Sequence, residues 1–249
     1  DAGFDTAHSF TMNEIIEICE KAQAKGKLGF AFRGDSENNL VVDFLPVLLS
    51  HGGWVVDEEN NPALNTTEVR EAMHYYLRLI STGQAMSKSD IISGLDSGDV
   101  TMAVGWPGWY MPNESTPVDF SAFSGMVSAD SVAYNANVYG IWTIGVPQTS
   151  QKKELAVKLL EHLMDRDVQK STIPGGGVPC RFSSLRDPEV LKSNPQFSVV
   201  CDALESGVYR PTISEWTDFY MIFGDSMSQI IEGDKSVDEG LSDAHIKIQ

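Results

Sequence analysis

Apolar residues recur at helical spacing in several long stretches of this chain, and short apolar runs lie between them. The first helix signal is at Thr11 and Glu14, which have the spacing of a capping box. Apolar positions then follow at three- and four-residue intervals as far as Gly26, so the pattern predicts one buried face and a glycine cap at the C-terminal end. The apolar run at 28–32 predicts a buried strand that leads to Arg33 in a polar turn.

The same signals predict further helices and strands. The predicted helices are 40–50, a helix from a cap at Asn65 with Glu68 to Gly83, one from Ser150 with Leu155, Leu159 and Leu163 on one face, two that begin at Asp187–Pro188 and Asn194–Pro195, 215–232 closed by Gly233, and one from the capping box of Ser236 and Glu239. Strands are predicted at 100–104 and 138–146, a hairpin or loop at 57–62, and a loop-rich stretch at 106–137. Strands that alternate with helices predict the α/β class.

Composition and charge narrow the range of functions. The chain has 249 residues, of which 42% are hydrophobic and 21% charged, as in a globular protein with a sizeable core. The net charge of −17 would repel a phosphate backbone or an anionic membrane over most of the surface, so we expect no nucleic-acid partner. No apolar run is long enough to span a bilayer, and we expect a soluble chain. It begins at Asp1 rather than at methionine, and we therefore expect a processed form or a fragment.

Cysteine and histidine spacing predicts neither a metal site nor a cofactor. The three cysteines, Cys19, Cys180 and Cys201, lack zinc-site spacing, and the five histidines show no metal-ligand pattern. Cys180 and Cys201 could pair under oxidising conditions, or they could be two buried thiols.

Aromatic residues near polar turns are the most informative candidates for ligand binding. Trp106 and Trp109 flank a Pro-Gly turn after the strand predicted at 100–104, so their rings would emerge at a strand end. A flat indole face can cover the C–H face of a sugar ring. The alternative is that these rings pack over the core, and Trp216 has the same two interpretations.

Three arginines adjoin loops rather than exposed helix faces: Arg33, Arg181 and Arg210. A guanidinium offers five fixed donors and can therefore bind two hydroxyls or a carboxylate at once. The alternative for each is a salt bridge on the surface or between lobes.

Short blocks along nearly the whole chain resemble, in their order, the sugar-binding proteins of bacterial ABC importers, that is, the maltose-binding-protein-like family 1 solute-binding proteins. The blocks are 25–30, 52–54, 65–80, 98–103 before 106–109, 139–142, 150–163, 177–181, 209–211 with Glu215 and Trp216, and 236–248. The resemblance implies a class II periplasmic-binding-protein-like fold, no catalytic activity, an extracytoplasmic location, and a membrane permease as partner. It also implies that hinge closure traps the ligand.

Within this family the subgroup that binds mono- and disaccharides or polyols is the most similar, judging by Phe32-Arg33-Gly34 and by Arg210-Pro211 with Glu215-Trp216. The positions that match ligand contacts of the family are Arg33, Gly34, Trp106, Trp109, Gly140, Trp142, Arg181, Arg210 and Trp216. The resemblance further implies that Trp106, Trp109 and Trp216 line one concave surface.

The resemblance also implies an unequal division into lobes. Residues 1–141 and 195–249 correspond to the second lobe, 142–194 belongs to the first lobe, and the rest of the first lobe is missing. The helix from Ser150 would then be covered by another copy or by first-lobe residues, or it would be the most mobile part. The alternatives to a binding protein are a structural lobe without ligand and an acidic carbohydrate hydrolase, whose carboxylate pair would come from Asp35, Asp43, Glu215 and Asp218.

Overall fold

The computed structural model of the protein describes residues 10–109, 118–119, 124–128 and 131–249. Its helices are α1 (Met12–Ala24), α2 (Glu37–Ser50), α3 (Thr67–Ile80), α4 (Lys88–Ser97), α5 (Lys153–Leu163), α6 (Arg166–Ser171), α7 (Phe182–Leu185), α8 (Pro188–Ser193), α9 (Gln196–Ser206), α10 (Trp216–Glu232) and α11 (Val237–Ile248). Its strands are β1 (Leu28–Phe32), β2 (Gln84–Ala85), β3 (Val100–Ala103), β4 (Ser124–Ser128), β5 (Ser131–Asn135), β6 (Val138–Tyr139) and β7 (Val208–Tyr209).

The central sheet is parallel and has the strand order β2-β1-β3. Ala31 lies opposite Gln84 on one side, and Phe30 lies opposite Met102 on the other. A separate antiparallel pair joins β4 to β5, and a parallel pair joins β6 to β7. Helices connect the parallel strands, which confirms the α/β class.

The main core lies between the central sheet and helices α1, α2, α3, α10 and α11. The sequence of α2 is apolar on almost all sides, as expected of a helix surrounded by other elements. Its Phe44 meets the Tyr76 ring edge-on with centroids 5.3 Å apart, and the Phe223 ring at 6.0 Å. These aromatic contacts join α2, α3 and α10 into one packed unit.

A second, smaller hydrophobic cluster lies apart from the main core. It consists of Ile173, Leu185, Val190, Phe197, Val200 and Cys201. It therefore combines residues from both sides of the expected boundary at 194/195. Helix α9 also contacts β5, so it links this cluster to the β4–β5 pair.

Local capping signals in the sequence are confirmed. Thr11 and Glu14 form a reciprocal capping box at the start of α1, and Ser236 forms another with Glu239 at the start of α11. Gly26 after α1 has the positive φ of 77° that glycine adopts without steric cost. The Asp187 side chain caps α8 by accepting the Glu189 backbone N–H.

Three predicted helix starts are displaced. The cap of α3 is Thr66 rather than Asn65, because the Thr66 hydroxyl accepts the Val69 backbone N–H. The side chain of Asn194 donates back to a carbonyl of α8 instead of capping α9. Helix α5 begins at Lys153 rather than Ser150, and its N-cap residue forms no side-chain hydrogen bond.

The strand predicted at 138–146 is wrong beyond its first two residues. Only Val138–Tyr139 pairs, whereas 141–149 finds no strand partner among the described residues. An apolar run forms a strand only where a neighbouring strand can form hydrogen bonds with its backbone N–H and C=O groups. The Trp142 side chain is 100% exposed.

The stretch predicted as loop-rich, 106–137, lies partly outside the described residues. Within its described part, β4 and β5 form a hairpin-like pair, so the prediction of loop is wrong there. Helix α4 and the two-residue strand β2 were not predicted. Strand β2 offers too few residues for a recognisable alternation.

The apolar face of α5 is uncovered. Leu155 is 64% and Leu159 55% exposed, and no residue of this helix is buried. The described residues therefore do not bury these two leucines. What covers them, or whether the helix is mobile, stays a prediction.

All three cysteines are free thiols in the structure. Cys19 and Cys201 are buried, whereas Cys180 is exposed, so the interpretation of Cys180 and Cys201 as two buried thiols is wrong for Cys180. Burial raises the pKa of the Cys19 thiol to about 12, which keeps it protonated at neutral pH.

Candidate functional site

The candidate site lies at the carboxyl edge of the central sheet. Arg33 directly follows β1, Lys88 opens α4 after β2, and the turn with Trp109 follows β3. Because the three strands are parallel and adjacent, their carboxyl ends meet at one edge. This edge is where open α/β sheets place ligands.

Trp109 lies at the centre of this edge. It ends the 3-10 turn Pro107–Trp109, and its backbone N–H donates to the Trp106 carbonyl at 2.9 Å. A Cβ atom on Gly105 would lie 3.0 Å from Cε3 of the Trp109 ring, so this glycine lets the ring lie close to the chain. Arg33 Cζ lies 4.7 Å and Lys88 Nζ 5.5 Å from the centroid of the same ring, both within cation–π range.

Trp106 extends the aromatic surface towards β6. A Cβ atom on Gly140 would lie 2.4 Å from Cη2 of Trp106, so the glycine lets the six-membered ring of the indole lie against the backbone there. The register that pairs Tyr139 with Tyr209 brings Gly140 and Arg210 to neighbouring positions at the ends of β6 and β7.

Arg33 is buried, and each of its three guanidinium nitrogens donates to a neighbouring side chain. Its Nε donates to both carboxylate oxygens of Asp43, at 3.2 and 3.1 Å, and one terminal nitrogen donates to Asn39 Oδ1 at 2.7 Å. The other terminal nitrogen also donates to Asp43, as does the Arg33 backbone N–H at 3.1 Å. Burial raises the pKa of the Asp43 carboxyl, and the hydrogen bonds from Arg33 oppose that rise.

Six of the nine predicted residues form one contiguous set, named here the strand-edge group: Arg33, Gly34, Trp106, Trp109, Gly140 and Arg210. Gly34 joins it because a Cβ atom there would lie 2.9 Å from Cβ of Ala85 at the end of β2. The described residues form no hydrogen bond or ion pair with the Arg210 side chain.

The other three predicted residues have different surroundings. Trp142 extends fully into solvent, and the exposed Arg181 donates to the Met164 carbonyl at 2.9 Å. The Trp216 ring stacks on Phe219 with centroids 5.4 Å apart and packs on the main core. Core packing therefore accounts for part of the Trp216 surface, and the single surface lined by three tryptophans stays a prediction.

Sequence reasoning missed Lys88 and Asn39. Lys88 could have been found, because Ser87 and Asp90 have N-cap spacing, and the Ser87 hydroxyl does accept the Asp90 backbone N–H at 3.2 Å. That cap fixes the start of α4 and hence the place of Lys88 beside Trp109. Asn39 gives no local signal of its role, which depends on the approach of Arg33 from another element.

Comparison with known proteins identifies the family. The model of the bacterial extracellular solute-binding protein family matches residues 1–170, which is more than half of the chain. The chain belongs to this family. Its members are binding proteins rather than enzymes, which removes the hydrolase alternative. Asp43, one of the carboxylates considered for that role, is moreover buried against Arg33.

Similar proteins extend beyond this chain. A probable amino-acid ABC transporter periplasmic-binding protein of Sinorhizobium fredii is 24% identical and aligns with 100% of this chain but 58% of its own length. Maltose-bound MalE3 of T. maritima has a TM-score of 0.83 and 22% identity over 99% of this chain and 66% of its own. An ABC transporter solute-binding protein of Agrobacterium radiobacter K84 in complex with ribitol has a TM-score of 0.80 and 20% identity over 97% and 64%.

The chain thus spans about three fifths to two thirds of these relatives. The structural likeness confirms the periplasmic-binding-protein-like fold over that part. No helix in the described ranges is long and apolar enough to cross a membrane.

Proposed function

We propose that the complete protein captures a small carbohydrate, a mono- or disaccharide or a polyol, outside the cytoplasm and delivers it to the permease of an ABC importer. The observation that carries this proposal is the pair of indole rings, Trp106 and Trp109, at the carboxyl edge of the sheet with cations beside them. Indole faces cover the C–H face of a sugar, and the ammonium of Lys88 and the guanidinium of Arg210 can donate to its hydroxyls.

The similar structures support a carbohydrate ligand, since one holds maltose and another ribitol. The curated relative from Sinorhizobium fredii is instead named for amino-acid transport. An amino acid needs an acceptor for its ammonium group as well as a cation for its carboxylate. The Asp43 carboxylate that contacts the strand-edge group is buried and already engaged by Arg33, so it is not open to an ammonium group.

We further propose that residues 1–141 and 195–249 belong to one lobe and 142–194 to the other. The exposed Leu155 and Leu159 support this division, because about a third of the length of similar structures lies outside this chain and can cover them. Ligand would bind between the lobes, and closure would be favoured because both lobes then contact it. Helix α9, which contacts elements on both sides, would form part of the connection.

Calorimetry on the complete protein tests the ligand. We expect binding of maltose or ribitol and none of an L-amino-acid mixture. Trp109→Ala should weaken binding at least about tenfold, or about 1.4 kcal/mol, and Arg210→Ala by about 1–3 kcal/mol. Trp54→Phe, in a tryptophan that packs on the main core, is the matched control. Binding of amino acids alone would refute the carbohydrate assignment.

Leu159→Glu tests the lobe division. We expect it to leave the unfolding temperature of this 249-residue chain unchanged but to destabilise the complete protein by at least about 1.5 kcal/mol, because there the leucine is buried. Glu161→Gln on the opposite side of α5 is the control. Equal tolerance of Leu159→Glu in both proteins would contradict the division.

A further inference from the structure

Each of the three guanidinium nitrogens of Arg33 already donates to a side chain of the protein. Nε and one terminal nitrogen donate to Asp43, and the other terminal nitrogen donates to Asn39. Both Arg33 and Asp43 are buried. A ligand hydroxyl that replaced one of these bonds would leave part of a buried ion pair without its partner, which is costly.

The same guanidinium lies over the Trp109 ring, with Cζ 4.7 Å from the ring centroid. Arginine can make in-plane hydrogen bonds and stack through its face at the same time, which a lysine ammonium cannot do. Asp43 belongs to α2 and Trp109 follows β3, so Arg33 connects a buried carboxylate of one element to an aromatic ring of another.

We propose that Arg33 is a positioning residue: the Asp43–Arg33 pair fixes the Trp109 ring, and Arg33 does not itself contact the ligand. Asn39 completes the pair by fixing the remaining terminal nitrogen. The proposal rests on the proposed function only for its statement that Trp109 faces a ligand. The positioning of the ring does not depend on any ligand and can be measured without one.

Fluorine NMR of the 249-residue chain labelled with 5-fluorotryptophan tests the positioning. The five tryptophans give five resonances, and Trp109→Phe assigns the one of interest. We expect Arg33→Lys, which keeps the charge but loses the planar face, to shift and broaden the Trp109 resonance while those of Trp54 and Trp216 stay in place. Asn39→Ala should produce a smaller shift of the Trp109 resonance in the same direction.

Arg78→Lys is the matched control, because Arg78 forms an exposed ion pair with Glu20 on the surface of α3 and α1. It should move none of the five resonances. An unmoved Trp109 resonance in folded Arg33→Lys would overturn the proposal. If Arg33→Lys does not fold, an unmoved resonance in Asn39→Ala overturns it equally. Absence of sugar binding by the complete protein would refute the proposed function but would leave this result unaffected.

Discussion

Helices α3 and α5 carry apolar stripes of the same kind and have opposite environments. In α3, Met73 and Tyr76 are completely buried. In α5, Leu155 and Leu159 stand in solvent. Helix α3 packs against α1, α2, β1 and α11, whereas the main described neighbour of α5 is the short helix α6. An apolar stripe therefore predicts a helix and the face it will bury, but burial itself needs a partner from elsewhere in the protein.

The largest expected effect separates these two helices directly. Met73→Ala should reduce the free energy of unfolding by about 2–5 kcal/mol, because it leaves a cavity in the main core. Leu159→Ala, the matched change on α5, should alter it by less than about 0.5 kcal/mol in this chain. Chemical denaturation monitored by circular dichroism measures both. Similar losses for the two variants would show that α5 is covered in solution.

A loss of stability at low pH should distinguish the second hydrophobic cluster from the main core. Hydrogen bonds from Lys170, the Glu189 backbone and Arg166 hold the pKa of Asp187 at about 2, below its ordinary value of 3.8. Because the folded pKa is the lower one, this stabilisation is present above about pH 4 and is lost as the pH falls towards 2.

Hydrogen exchange of segment 182–206, measured from pH 5 to pH 2.5, tests this expectation. Protection should fall with pH in the native chain, and Asp187→Asn should flatten that dependence while reducing protection at pH 5. An equal pH dependence in the two proteins would contradict the role of Asp187.

Substitutions at the N-caps of α1 and α5 allow a comparison in which the expected change in stability is of intermediate size. Thr11→Ala removes the capping box of α1 and should cost about 1 kcal/mol of stability. Lys152→Ala at the corresponding position of α5 should cost nothing measurable, since Lys152 forms no side-chain cap. Thermal unfolding of both variants tests this comparison. A clear loss of stability for Lys152→Ala would mean that its side chain does cap α5.

The smallest expected effect is a gain in stability. The Tyr76 hydroxyl is buried and has no hydrogen-bond partner among the described residues. Tyr76→Phe should therefore stabilise the chain by a few tenths to about 1 kcal/mol. The neighbouring Tyr75 hydroxyl donates to the Met12 carbonyl at 2.9 Å, so Tyr75→Phe should instead destabilise by about 1 kcal/mol. Denaturation curves that show a loss for both would indicate a partner for Tyr76.

The sequence predicted the members of the strand-edge group but not the side chains that surround it. Arg33, Trp106 and Trp109 were found because each follows a short apolar run, which is a local pattern. The ion pair of Arg33 with Asp43 was not predicted, since both partners also fitted other roles. Lys88 was missed because β2 is too short to recognise, although its neighbour Ser87 gave a cap signal.

By itself the sequence determined the starts of α1 and α11 and the glycine-capped ends of α1 and α10. Capping boxes at Thr11 and Ser236 and the glycines after α1 and α10 act within one turn of chain, so their geometry follows from residues three or four positions apart. Only the tertiary structure decided that 141–149 pairs with no strand of the described residues, that the Asp43 carboxylate accepts hydrogen bonds from Arg33, and that α3 is buried while α5 is exposed. Strand pairing, ion pairing and burial each require a second element at the right place, and no local pattern specifies where that element lies.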